Sequence, residues 1–299
     1  MKQLPLFVGS TLFSLAIAQA AYAGTFHQGW TYSIDAFDDG AGGEGYEIQG
    51  LAIKETQDHL YISVSGESTL TGVDSLEAED GNVGWGDILF NFTGQDINAA
   101  NGELFGIRFA VTNDSGVSQI GVFGAVTAQS VAATNSGYDS LQLYYQDGWE
   151  RPNTMGDLAT VDAAYGYMGA TVPALSSIAE GTFLGGIDLL SSQEAISAGL
   201  DFDQFSAGGL ETHTMQLDRS LLPGGDFIAT LLMECANDGI ALLSRLTTQE
   251  NSAQDVPEPS AVLGLLAMGL VVRGVSRGRD RESTTEIHPS NLPGPDESL

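Results

Sequence analysis

The sequence predicts an all-β protein: an antiparallel β-sandwich or jelly roll with one short helix, followed by a C-terminal apolar helix. Three observations predict it. Short runs alternate apolar and polar side chains with period two, and Gly, Asn and Asp turns separate them. No long stretch carries helical periodicity. The 38 glycines follow no fixed period, which suits many tight turns and argues against a solenoid.

In chain order, the first strand is expected over 30–34, where Trp30, Tyr32 and Ile34 alternate with Thr31 and Ser33. The acidic, glycine-rich loop 35–45 follows. Strands over 46–54 and 60–66 form a hairpin around the polar turn 55–59. A second acidic loop fills 67–84 and carries Asp74, Glu77, Glu79 and Asp80. The run 86–92 reads as a buried strand. Strands over 104–111 and 119–127 flank the turn 113–116, and 141–145 reads as a short strand. The stretch 146–160 reads as loop and 182–189 as a strand. Ser191 and Glu194 have capping-box spacing and Gly199 is a stop, so one helix is expected over about 192–198. Strands over 211–217, 227–234 and 240–246 close the domain. The last two flank Ala236-Asn237-Asp238-Gly239, a strong turn signal.

Charge narrows the function. The 299 residues carry a net charge of −29, and 33 of the 39 acidic residues lie in 24–255 with only five of the ten basic ones. Such a field repels nucleic acid and anionic lipid and attracts cations. The single cysteine, Cys235, excludes an intrachain disulfide and reads as a small buried hydrophobe.

The chain opens with Lys2, an apolar stretch over 4–18 and Ala21-Tyr22-Ala23, the three parts of an export signal. Cleavage is expected after Ala23, so 1–23 is a signal peptide. The ectodomain then covers 24–246 and a polar linker 247–255. Val256-Pro257-Glu258-Pro259 follows, where the prolines exclude regular helix and present an extended segment. The apolar run 261–272 is 12 residues, about 18 Å as a helix. That is short of the ~20 residues a hydrocarbon core needs. Arg273, Arg277, Arg279 and Arg281 would hold its end on the cytoplasmic side. Residues 282–299 form a polar tail.

This order resembles the PEP-CTERM sorting signal, over 256–281. The resemblance implies recognition by an exosortase, a membrane transpeptidase-like enzyme, and release or anchoring at the cell surface. Signals of this kind usually end soon after the arginines; here 18 residues follow. The ectodomain is similar to the XDD group of exosortase-dependent surface proteins. The similarity lies in Trp30 to Asp35, Asp38-Asp39-Gly40, Gly86 to Phe92, Gly199 to Phe202 and Glu234 to Gly239. It implies a location and no activity.

For chemistry, Asp35, Asp38, Asp39, Glu44 and Glu47 offer hard oxygens on a glycine-rich loop, a candidate calcium site. An EF-hand register starting at Asp35 fails, because its third position is Phe37 and its twelfth Tyr46. Otherwise the loop is an acidic surface turn and the protein has no cofactor. Trp85, between glycines, and Trp149, in a loop, are candidate sugar platforms, against ordinary packing. His27, His59 and His213 lack zinc-ligand spacing, and no G-x-S-x-G, Walker or dinucleotide loop occurs.

The expectation is therefore an exported cell-surface or matrix protein, non-enzymatic and transiently anchored by its C-terminal helix. Its expected partners are the export machinery, signal peptidase, an exosortase-like enzyme and exopolysaccharide, with no nucleic acid. A calcium-assisted carbohydrate-binding module is the alternative, and a secreted hydrolase comes third.

Overall fold

The computed structural model describes residues 24–147 and 154–248. The expected export signal with Ala21 and Ala23, Trp149, the segment Val256-Pro257-Glu258-Pro259, the four tail arginines and 282–299 lie outside the described residues.

Alternation sorts the strands into two six-stranded antiparallel sheets. The first contains β1 (Thr25–His27), β2 (Trp30–Ile34), β3 (Ile48–Glu55) and β4 (His59–Gly66). A two-stranded ribbon, β5 (Val73–Asp74) and β6 (Asn82–Val83), then interrupts the chain. The second sheet begins with β7 (Ile88–Asn91), β8 (Leu104–Arg108) and β9 (Gly121–Gln129). Two helices follow, α1 (Leu141–Asp147) and α2 (Val161–Met168), and β10 (Ser177–Gly185) completes that run. The chain returns to the first sheet with β11 (Asp188–Leu190), passes through α3 (Ser192–Ser197), and adds β12 (Glu211–Asp218). It ends with β13 (Gly225–Leu232) and β14 (Gly239–Leu246) in the second sheet. The strand orders are β1-β2-β3-β4-β12-β11 and β10-β9-β8-β7-β13-β14.

Both sheets supply one apolar cluster. Leu60, Ile62 and Val64 of β4 meet residues such as Phe90 of β7 and Leu231 of β13 in it. The outer face of the second sheet is covered as well: Leu89 and Leu232 pack with Leu141, Ala164 and Met168 from the helical segment. That is why 88–90 is a continuous apolar run rather than an alternating one. The first sheet's outer face carries a smaller cluster, where Trp30 and Tyr32 meet Ala195, Leu200 and Phe202.

The fold is all-β, as expected, with local differences. The stretch 141–145 is helix, not strand. Its buried residues Leu141 and Tyr144 stand three apart and Leu143 between them is exposed, a helical spacing that five residues cannot distinguish from alternation. Helix α2 was not anticipated; Thr160 caps it by accepting from Ala163 N, and Gly169, at φ +83°, ends it. Helix α3 forms where expected, with the reciprocal Ser191–Glu194 capping box. The single strand expected over 182–189 is two, β10 and β11, in different sheets, with Gly185-Gly186 at the crossing. Among the described residues no helix is long and apolar enough to cross a membrane.

Candidate metal centre

The loop after β2 turns two of its carboxylates inward. Asp35 keeps strand pairing through its own N–H, which donates to Gln49 O at 3.1 Å. Its Oδ1 accepts from Ala36 N and Gly156 N, both at 3.0 Å. Gly156 stands at φ +54°, and a Cβ there would meet Ser33 Oγ at 2.2 Å, so the close approach needs glycine. Asp38 follows in the left-handed region, at φ +65°, a conformation aspartate tolerates better than most residues. The reversal sends Asp38 outward and Asp39 inward. Asp39 Oδ2 accepts from Thr154 N at 3.3 Å, and its carbonyl accepts from the Tyr144 hydroxyl at 2.9 Å.

Glu47 braces this loop. Its two oxygens accept from Asp38 N at 2.7 Å and Gly40 N at 2.9 Å. A Cβ on Gly40 would lie 2.9 Å from Glu47 Oε2 and 3.1 Å from its Cα, so the loop can close on Glu47 only through glycine.

The third inward carboxylate comes from the β13–β14 turn. Asp238 Oδ2 accepts from Ile48 N at 2.6 Å, and Oδ1 accepts from Gly239 N at 2.7 Å. Ala41 N donates to Asn237 O at 2.8 Å, so the turn and the acidic loop are also joined through backbone. Asp35, Asp39 and Asp238 are 4, 0 and 1 % exposed. Each offers a carboxylate oxygen within 4.8 Å of the other two, and this is the only such grouping among the described residues.

Burial dominates the electrostatics. It lifts the Asp35 carboxyl well above the usual carboxylate range, and the negative charges of Asp238 and Asp39 add to the lift. Asp238 is lifted in the same way, by burial and then by Asp39. Burial and the same aspartates push up the Tyr144 and Tyr145 hydroxyls of α1. The Tyr145 hydroxyl oxygen is buried and has no hydrogen-bond partner. Carboxylates so buried need partners, whether protons, a cation or hydrogen-bond donors.

Of the five acids proposed for this loop, the structure brings Asp35 and Asp39 together. Glu47 sits beside them with both oxygens committed to backbone, Asp38 faces out, and Glu44 belongs to the 3-10 turn Glu44–Tyr46. Asp238 was missed as a member of this cluster, since Asn237-Asp238-Gly239 already had a complete explanation as a turn. Among the second loop's acids, Asp80 is an ordinary turn residue that accepts from Asn82 N at 2.9 Å.

Trp85 is not a sugar platform. It is 0 % exposed, its indole N–H donates to Ser68 O at 3.2 Å, and its ring packs against Phe109 and His213. Cys235 is buried, and desolvation pushes its thiol up to about 12. A surface groove of about 590 Å³ adjoins the acidic loop, lined by Phe37, Asp38, Glu47, Gln49, Glu67 and Leu210. Comparison with protein-family models, curated proteins and solved structures gave no match to this chain.

Proposed function

We propose that this chain is an exported, non-enzymatic protein delivered to the cell surface or matrix by an exosortase-like system. The observation that carries the reading is the order Pro257-Glu258-Pro259, apolar run 261–272, and Arg273, Arg277, Arg279 and Arg281, on a chain opening with an export signal. The signal would be removed after Ala23 by signal peptidase. The C-terminal apolar helix would hold the precursor transiently in the membrane, arginines inward. The domain between is then the displayed part. We read it as a β-sandwich rather than a jelly roll, because most neighbours in each sheet are also neighbours in sequence. Its acidic surface suits a hydrated matrix and association with exopolysaccharide.

Cell fractionation with terminal mass spectrometry tests this. The expected mature protein begins at Gly24 and has lost Leu299. Leu299 retained on all of it would refute processing near Pro257–Pro259.

A second reading, a calcium-assisted carbohydrate-binding module, is supported by the groove beside the acidic loop. Phe37, 46 % exposed, offers a flat apolar face there, with Gln49 and Glu67 for hydroxyl groups. Glycan-array binding that Phe37→Ala abolishes would favour it. An array without signal would count against it.

A further inference from the structure

The buried aspartates carry an inference that is independent of the display reading. Oxygens sharing one calcium ion at ~2.4 Å lie no more than ~4.8 Å apart. The oxygens of Asp35, Asp39 and Asp238 all meet that pairwise limit.

Two further observations point to a ligand. Asp35 is 4 % exposed, yet only its Oδ1 is used by the backbone; Oδ2 is buried and has no hydrogen-bond partner. The fold fixes the carboxylate with one oxygen and leaves the other for a group that is not backbone. From α1, the Tyr145 hydroxyl is also buried without a partner, and it lies within the field of Asp35 and Asp39.

We propose that Asp35, Asp39 and Asp238 bind one hard divalent cation, of the calcium class. The all-oxygen donor set suits calcium or magnesium and disfavours metals that prefer imidazole or thiolate. The ion joins the exit of β2, through Asp35 and Asp39, to the β13–β14 turn, through Asp238. It thereby ties the beginning of the domain to its end. It also sets the loop that forms one wall of the groove.

The test uses the full chain, stripped with a chelator and held at about pH 8, where carboxylates favour metal over protons. Calcium, magnesium and terbium are titrated in, read by thermal melting, calorimetry and tyrosine-excited terbium emission. The expected result is a single ion per chain and a melting temperature raised by about 5–10 °C at hundredfold saturation. Asp35→Asn and Asp238→Asn should abolish both the rise and the terbium signal, whereas Asp38→Asn should keep both. Asp238 also holds the amides of Ile48 and Gly239, so its variant can fail to fold. Asp35→Asn retains an Oδ1 acceptor and then decides the matter. Unchanged melting with no binding heat for any ion would overturn the proposal. So would binding by Asp35→Asn with wild-type affinity.

Discussion

Asp157→Asn should stabilise the protein, and only above the acid range. Asp157 lies in the segment that also donates Thr154 N and Gly156 N to the aspartate cluster. Its N–H donates to Ser33 Oγ at 3.0 Å, and its Oδ2 accepts from Leu243 N at 2.8 Å. Burial raises its carboxyl from an ordinary 3.8 to about 6, against the opposing hydrogen bond from Leu243 N. Moving a carboxyl by that much corresponds to ~3 kcal/mol. The sign follows from which state holds the proton. The folded protein binds it more tightly, so the contribution is fully present below about 4 and lost as pH rises through about 6. Wild type at about pH 8 therefore carries a buried charge that an amide would not.

Asparagine can keep the contacts. Its carbonyl accepts from Leu243 N, and its NH2 can donate to Ser33 Oγ, whose own proton goes to Ala241 O at 2.7 Å. The difference between variant and wild type should be near zero at about pH 4 and approach ~3 kcal/mol at about pH 8. For a domain of this size that is about 6–12 °C in melting temperature. Thermal melts of both proteins across the pH range, in chelator to keep the nearby site constant, measure it. A difference that does not change with pH, or a variant that melts lower at every pH, would refute the reasoning.

Three other outcomes follow from buried groups. Arg219 is 1 % exposed and donates to Glu55, to Leu222 O and to Thr247 O, so Arg219→Ala should cost ~3–5 kcal/mol in denaturant unfolding; a loss within error of zero would contradict the buried pairing. Trp85→Ala should cost ~3–5 kcal/mol, and Trp85→Phe clearly less because it leaves a smaller cavity; equal costs would mean the indole volume is not what matters. Cys235, buried with its thiol at about 12, should resist a thiol reagent in the native protein and react once guanidinium unfolds it. Rapid stoichiometric labelling of native protein would show that the β13–β14 turn opens readily.

Most of the fold was legible because its strands state their own period. Residues 211–217 alternate with His213, Met215 and Leu217 on one side, and β12 forms there, with Met215 and Leu217 buried. The helix at 192–197 was legible because a capping box is a local signal that no distant contact must complete. What failed was short or depended on context. Five residues at 141–145 fit two periods, and packing beside α2 chose between them. The break at Gly185-Gly186 depends on which sheet each half joins, information that lies in strands before and after it rather than in the run itself.

The candidate site was half legible for a related reason. A count of acids on a flexible loop shows which residues could bind a cation and says nothing about which face inward. Backbone handedness at Asp38 decides that, sending neighbouring aspartates to opposite sides. Asp238 was hidden because Asn-Asp-Gly is sufficient as a turn, and its carboxylate even serves its own turn by accepting from Gly239 N. Only the placement of β3 beside β14, which lets the same carboxylate accept from Ile48 N, shows its second use. The acids of the cluster are therefore distinguished by having lost their water together. Of the many carboxylates in this chain, the three that burial has brought together are the ones whose charge the rest of the structure must answer.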